Sequence, residues 1–252
     1  MDYYLNNQNL IYNKFQSMRL KLAEYFPKEY IQEFFLRAEV FLENGKSSYD
    51  FQLGKEAGKT AGATERLLQN NDAFAPVGLG LAVKKAALVS GKEYPGNDQI
   101  LTFSDDDIFD GAAVGGYTEA ECMEGVYNAD LSMSADGKEI IYKIDTAMLK
   151  RVPDFRFQAN SARWHWSGES LSQFANFLPL FKDFVLMGGN ENKVTMDIRG
   201  ANTGTIQAGT GTTDEQNKAV IIFPGLIIRG GADKVTNLDV GQFMRDGAFY
   251  LP

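Results

Sequence analysis

The chain has 252 residues, 33 acidic and 25 basic side chains, a formal charge of −8 and a hydrophobic fraction of 44%. These values suit a globular protein of one large domain or two small ones and exclude a disordered or fibrous chain. The acidic balance argues against wrapping nucleic acid, while a lone cysteine (Cys122) and a lone histidine (His165) exclude a disulfide scaffold, a Cys/His zinc site and any mechanism needing two imidazoles.

The first residues, Met1 to Gln8, lack the basic and apolar regions of a signal peptide, and no stretch approaches the roughly 20 apolar residues of a membrane span, so a soluble protein made in the cytoplasm is expected. Leu10, Ile11, Phe15, Met18 and Leu22 recur at helical spacing, with Asn6 or Asn9 as N-cap and Pro27 beyond the end, which predicts one amphipathic N-terminal helix. From Phe34 the period shortens. Phe35 to Leu42 meets Asn44-Gly45 and then Tyr49 to Leu53, the grammar of a hairpin with a type I′ turn. The same grammar recurs at Asp130 to Ile144 around Asp136-Gly137, and at Phe184 to Ile198 around Gly188-Gly189-Asn190-Glu191-Asn192. Further strands are predicted at Thr64 to Gln69, Phe74 to Lys84, Ile100 to Phe103, Phe155 to Gln158, Ala219 to Phe223 and Leu226 to Arg229. Thr118 to Gly125 has a Thr N-cap and a Gly stop, and with Ser170 to Phe177 reads as a loop or short helix; Gly54 to Gly62 and Gly200 to Asn217 read as flexible or exposed loops. The body after the helix is therefore all-β and antiparallel.

Several local motifs fail on inspection. Gly58-Lys59-Thr60 resembles the end of a phosphate loop, but the glycine required five residues earlier is Leu53. Asp105, Asp106, Asp107 and Asp110 are weak candidates for a hard cation; read as an EF-hand from Asp106 they put Ile108 and Tyr117 where oxygen ligands belong, so no metal is assigned and a solvated acidic loop is the plainer reading. Trp164 and Trp166 share one face of a strand, with His165 on the other, and serve either as a sugar-stacking platform or as core or interface packing. Neither His165 nor Cys122 has a nucleophile signature or activating partner, and no carboxylate pair is nominated for glycoside hydrolysis, so neither catalysis nor a cofactor is expected. The first 60 residues hold eight basic and eight acidic side chains, so they form no polybasic arm. Leu10, Phe15, Met18 and Leu22, beside Lys14, Arg19 and Lys21, are candidate assembly contacts toward a neighbouring subunit or membrane surface, with packing on their own sandwich as the alternative.

Glu65 to Phe74 followed by Val77-Gly78-Leu79-Gly80-Leu81, the segment Val126 to Met133, and Leu178-Pro179-Leu180 leading into the Gly188-to-Ile198 region resemble the jelly-roll capsid proteins of icosahedral bacteriophages, over most of the chain after residue 30. The resemblance implies a virion shell subunit that self-assembles, often as a homotrimer, whose N-terminal segment ties neighbours together or meets an inner layer, and which is not an enzyme. The missing basic arm makes direct, sequence-specific nucleic-acid binding unexpected and suits a shell over other virion proteins or an internal membrane. The expected organisation is an N-terminal helical segment (1–30) and a jelly-roll-like β-sandwich body (31–252), single with extra strands, a double jelly roll being the open alternative. About a dozen strand candidates exceed one roll and fall short of two. The competing function is a carbohydrate-binding β-sandwich module of a phage tail or adhesin, built on Trp164 and Trp166.

Overall fold

Ile11, Phe15, Met18 and Leu22 follow one another at steps of three and four, and in the computed structural model they form the buried stripe of α1 (Asp2–Tyr25). The Phe26 N–H donates to the Leu22 carbonyl (2.8 Å), and Pro27 opens a single 3₁₀ turn, Lys28–Tyr30, that delivers the chain into β1 (Ile31–Phe41). The structure describes residues 2–43, 45–54, 65–89, 92–93, 118–150, 177–199, 215–231, 244–245 and 248–250.

The remaining described strands are β2 (Ser48–Gln52), β3 (Ala73–Pro76), β4 (Gly78–Val89), β5 (Lys92–Glu93), β6 (Ala129–Ala135), β7 (Lys138–Asp145), β8 (Leu178–Pro179), β9 (Phe184–Met187), β10 (Asn192–Ile198), β11 (Glu215–Ile228), β12 (Met244–Arg245) and β13 (Ala248–Tyr250). They build two antiparallel sheets. The larger runs β12-β13-β9-β3-β11-β4-β5, with β1 also on β11 and β8 on β4; the smaller runs β2-β10-β6-β7. The protein is an all-β sandwich preceded by a helix.

β11 is the axis of the larger sheet. β1 lies along one edge of it, from Ile31 opposite Ile228 to Phe41 opposite Lys218, without a register break. β3 and β4 share the other edge, pairing Ala73 to Pro76 with Ile228 to Gly225 and then Gly80 to Ala87 with Ile222 to Glu215. Between these stretches Val77, Gly78 and Leu79 face only Phe223 and Pro224, a one-residue bulge. Pro224 has no N–H to give, and the bulge is one of the few places in a sheet interior that tolerates this; its carbonyl still accepts from the Val77 N–H (2.9 Å). The predicted break between Ala219–Phe223 and Leu226–Arg229 is therefore one continuous strand, and the predicted strand Phe74–Lys84 is divided in two. β11 also begins at Glu215, so the last residues of the predicted Gly200–Asn217 loop belong to it.

Of the three predicted hairpins, one forms. β6 and β7 pair across Asp136-Gly137, whose φ angles of 49° and 72° are those a type I′ turn demands of both central residues. The other two turns are sheet crossings. After Gly45 (φ 78°) the chain leaves the larger sheet, so β1 pairs with β11 while β2 pairs with β10. The buried Tyr49 hydroxyl fixes that corner, accepting from the Glu43 N–H (3.1 Å) and lying 3.0 Å from the carbonyls of Glu43 and Lys46. Likewise β9 pairs with β3 and β13, and β10, beyond Gly188-Gly189, pairs with β2 and β6. The predicted Thr118–Gly125 helix is α2 (Glu119–Glu124), closed by a Thr118–Glu121 capping box. The predicted strand at Thr64 to Gln69 provides only isolated bridges, Arg37 with Arg66 and Gly54 with Leu68.

One apolar core fills the space between the sheets: Phe74, Ile221, Phe223 and Phe184 from the larger meet Phe51, Met133, Val194 and Met196 from the smaller. A second core lies on the opposite face of the larger sheet, where Ile11, Phe15, Met18, Leu22 and Phe26 cover Ala73, Ala75, Val185, Leu226 and Ile228. Residues 219 to 228 read as an almost unbroken apolar run because both faces of β11 are buried.

Candidate functional surfaces

α1 is seated on its own sheet by charge as well as by apolar packing. Lys14 and Lys21, two turns apart on one flank, grip Asp183 at 3.0 and 2.9 Å, and Lys14 also donates to the Leu180 carbonyl; on the other flank Arg19 faces Glu33 at 3.7 Å. Burial alone would push the Asp183 carboxyl up, but the two ammonium groups prevail and hold it below its ordinary range. Of the four predicted assembly contacts, Phe15, Met18 and Leu22 are buried in this intramolecular seat, and only Leu10 stands outside it, 54% exposed. The packing alternative thus accounts for three of the four side chains.

Trp164, Trp166 and His165 lie outside the described residues, as do Asp105, Asp106, Asp107, Asp110 and the Gly58-Lys59-Thr60 segment. Cys122 is buried in α2. Among the described residues no group of three or more His, Cys, Asp or Glu side chains is arranged to hold a metal ion, and no helix is long and apolar enough to cross a membrane.

Three charge clusters that the sequence reading passed over are prominent. On the larger sheet Glu39 gathers Lys84 (2.9 Å), Lys218 (3.0 Å) and Arg37 (2.5 Å), and Glu65 accepts from its backbone N–H (3.0 Å). Lys84 is fully buried, and the Lys218 ammonium also sits 4.2 Å over the Phe41 ring. At one end of the inter-sheet space the buried Glu119 holds Lys85 (3.1 Å) and the Asn217 amide (2.7 Å). The available signal was Lys84-Lys85, set inside an otherwise apolar strand, which sends two successive lysines to opposite faces of one sheet.

The third cluster is exposed. Arg199, just past β10, donates through Nε to Asp130 (3.0 Å) and through Nη1 to Asp145 (2.8 Å), clamping β6, β7 and β10 together. Asp145 also caps the 3₁₀ turn Thr146–Leu149 through the Ala147 N–H (2.9 Å). Hydrogen bonding to Arg199 holds both carboxyls below their ordinary range and pushes the guanidinium up. Depressed carboxyl values in the fold mean that the clamp stabilises above the ordinary carboxylate pKa and is lost as pH falls through the lower folded values. Arg199→Ala is therefore expected to lower the urea midpoint at pH 7, with the gap from wild type closing below about pH 4 as the carboxylates protonate. A gap that persists unchanged at pH 2.5 would show that Arg199 acts through packing and not charge.

The exposed faces divide sharply. On β2, β6 and β10 of the smaller sheet the residues turned outward are polar, including Asp50, whose carboxylate accepts from Thr195 (2.7 Å) and pairs with Lys193 (3.3 Å). Large apolar side chains instead reach solvent at Phe181 (92% exposed), Tyr142 (72%), Leu20 (69%) and Met148 (52%). No family model, curated protein or solved structure matches this chain.

Proposed function

We propose that this chain is a viral structural protein, a capsid subunit that self-assembles into a virion shell. The observation that carries the reading is the order of the strands. Taken as lines through the sandwich, β1, β11, β3/β4 and β8/β9 stand side by side in one sheet, and β2, β10, β6 and β7 in the other. Followed along the chain, every connection between successive lines crosses between sheets except the β6–β7 hairpin. This order supports the reading as a single jelly roll, two interleaved Greek keys, an architecture used by viral capsid and lectin domains. Part of the surplus of predicted strands also disappears, since Ala219–Phe223 and Leu226–Arg229 are one strand and Thr64 to Gln69 contributes only isolated bridges, while β5, β12 and β13 are short additions at the margins.

A fold hosts many functions, so the choice among jelly-roll proteins rests on the surface and on the resemblance noted above. Large apolar side chains left in solvent fit a subunit that buries them against other subunits. The partners in this reading are further copies of the chain, as a homotrimer within the shell, then other virion proteins, with an internal membrane as a further candidate; the location is the virion. Light scattering and negative-stain microscopy of the purified chain, across protein concentration and salt, test it. Trimers, rings or shells are expected. A strict monomer under all conditions would overturn the reading in favour of a glycan-binding module, and Trp164→Ala and Trp166→Ala on a glycan array would then be the decisive variants.

A further inference from the structure

We infer that copies of this chain meet head to tail, through a basic, apolar surface at the β7 edge and an acidic, apolar surface at the end of α1. The inference rests on the assembly reading and names the surfaces that would carry it. β7 is the outer strand of the smaller sheet, and its register against β6 shifts twice, between Leu131 and Met133 and again between Met133 and Ser134. Lys143 within it has a positive φ of 35°, which is uncommon for a residue with a side chain. Bulges and lysines on an edge strand spoil it as a template for another strand, so this edge is unsuited to sheet extension and suited to contact through side chains.

The side chains presented there are large and apolar. Tyr142 is 72% exposed in the bulged stretch, and Met148 is 52% exposed in the 3₁₀ turn that follows β7. Phe181, 92% exposed, belongs to the turn between β8 and β9, which reaches the same edge because the Lys182 ammonium lies 3.5 Å from the Ile140 carbonyl. Lys138 and Lys143 are exposed on β7 and Lys182 lies beside it, with Glu139 as an acid on the same strand; none of the three lysines is within ion-pair distance of a carboxylate among the described residues, Lys143 acting on Asp130 only at longer range and lying 5.9 Å over the Tyr142 ring.

The complementary surface lies on the opposite character of charge. Leu20, 69% exposed, points away from the sheet, and Glu24 follows it one helical turn later on the same side. Glu29 and Tyr30, both exposed, stand in the turn after Pro27. Glu24 and Glu29 have no ion-pair partner among the described residues, and Lys28 is the basic residue in their midst. An apolar patch framed by unpaired lysines on one element and an apolar patch framed by unpaired glutamates on another are mutually complementary and not self-complementary. Such a pair of surfaces generates a heterologous contact, which closes into a ring such as a trimer, or runs on as an open filament where the rotation does not close.

The test uses the full chain. Assembly is followed by light scattering for wild type, for Tyr142→Ser/Phe181→Ser, for Lys143→Glu/Lys182→Glu and for Glu24→Lys/Glu29→Lys, with thermal melting to establish that these exposed substitutions leave the fold intact. Each variant alone is expected to need a concentration about tenfold or more above wild type to assemble, and combining the two charge reversals in one chain, which makes the surfaces complementary again, is expected to restore assembly. If wild type assembles and the folded variants assemble at the same concentration, these surfaces are not the contact, while the capsid reading stands. If wild type never assembles, the capsid reading falls and this inference falls with it.

Discussion

Gly188→Ala is expected to destabilise the fold by about 3 kcal/mol or more, near the top of what a single methyl group can do. Gly188 is the first residue after β9, where the chain leaves the larger sheet for the smaller. A Cβ built there stands 1.8 Å from the Gln69 carbonyl oxygen and 2.8 Å from that of Asp72, and both obstacles are backbone. The Gly188 N–H donates to the Asp72 carbonyl (2.8 Å), so the two segments are already at hydrogen-bonding distance and cannot part without losing that bond. Asp72 cannot yield easily either. Its carboxylate is held by Arg229 (2.6 Å) and by the Gly230 N–H (3.0 Å), and its own N–H donates to Gln69 (3.0 Å). Gly189 supplies the control, because a Cβ there meets nothing nearer than the Asn70 oxygen at 3.8 Å. Urea denaturation of the two alanine variants separates steric exclusion from generic glycine loss: a large shift for Gly188 and less than about 1 kcal/mol for Gly189. Equal shifts at the two positions would refute the argument from close approach.

That position also shows what could be read in the sequence. The turns at Asp136-Gly137 and at Gly45 were legible because positive φ is a local demand on residue type, and Gly188-Gly189 was legible as a place where the chain turns, without positive φ. The destination of the following strand was not. At Asp136-Gly137 the chain folds back in its own sheet, whereas beyond Gly45 and Gly189 it passes to the other sheet, and that choice is made by packing across the sandwich: Tyr49 and Phe51 of β2 are fully buried in the inter-sheet core, as are Val194 and Met196 of β10. A glycine read as the centre of a hairpin was a glycine permitting two backbones to touch.

The same distinction runs through β11. A proline in an apolar run argues for a break, yet Pro224 sits within a continuous strand because the bulge at Val77 to Leu79 removes the need for its N–H. The bulge is written on a segment well over a hundred residues away, so no local pattern announces it. For the N-terminal helix, the period and the stop signal at Pro27 were sufficient to place the element, but not its start: Asn6 and Asn9, read as N-caps, lie inside a helix that begins at Asp2. Which partner its apolar face meets was decided by Ala73, Ala75, Val185 and Leu226, small and branched residues that give α1 a seat on the outer face of the larger sheet. Consequently Phe15, Met18 and Leu22 belong to the fold, while Leu10, Tyr12, Leu20 and Tyr142 are among the exposed apolar side chains, which periodicity does not distinguish from ordinary solvent-facing positions.

Glu39→Gln is expected to cost about 3 to 5 kcal/mol, the range for removing one partner from a buried ion cluster. Glutamine retains the shape of the side chain and part of its hydrogen bonding, so the loss isolates charge. Three cations converge on Glu39, and two of them are withdrawn from water: Lys84 is fully buried and Lys218 is 3% exposed. In Glu39→Gln these ammonium groups lose the negative charge that faces them at 2.9 and 3.0 Å and offsets their desolvation. Lys84→Met keeps the length of the side chain and removes one of the buried charges. Alone it should cost less than Glu39→Gln, because the carboxylate retains Lys218 and Arg37. Placed in the Glu39→Gln background it should recover stability, a non-additivity of about 0.5 to 3 kcal/mol in a double-mutant cycle. The cycle is read by urea unfolding at pH 7, where all the groups are charged in the unfolded chain. Strictly additive costs would mean that Glu39 and Lys84 do not compensate one another, and that the cluster is held by the surrounding packing and not by its opposed charges.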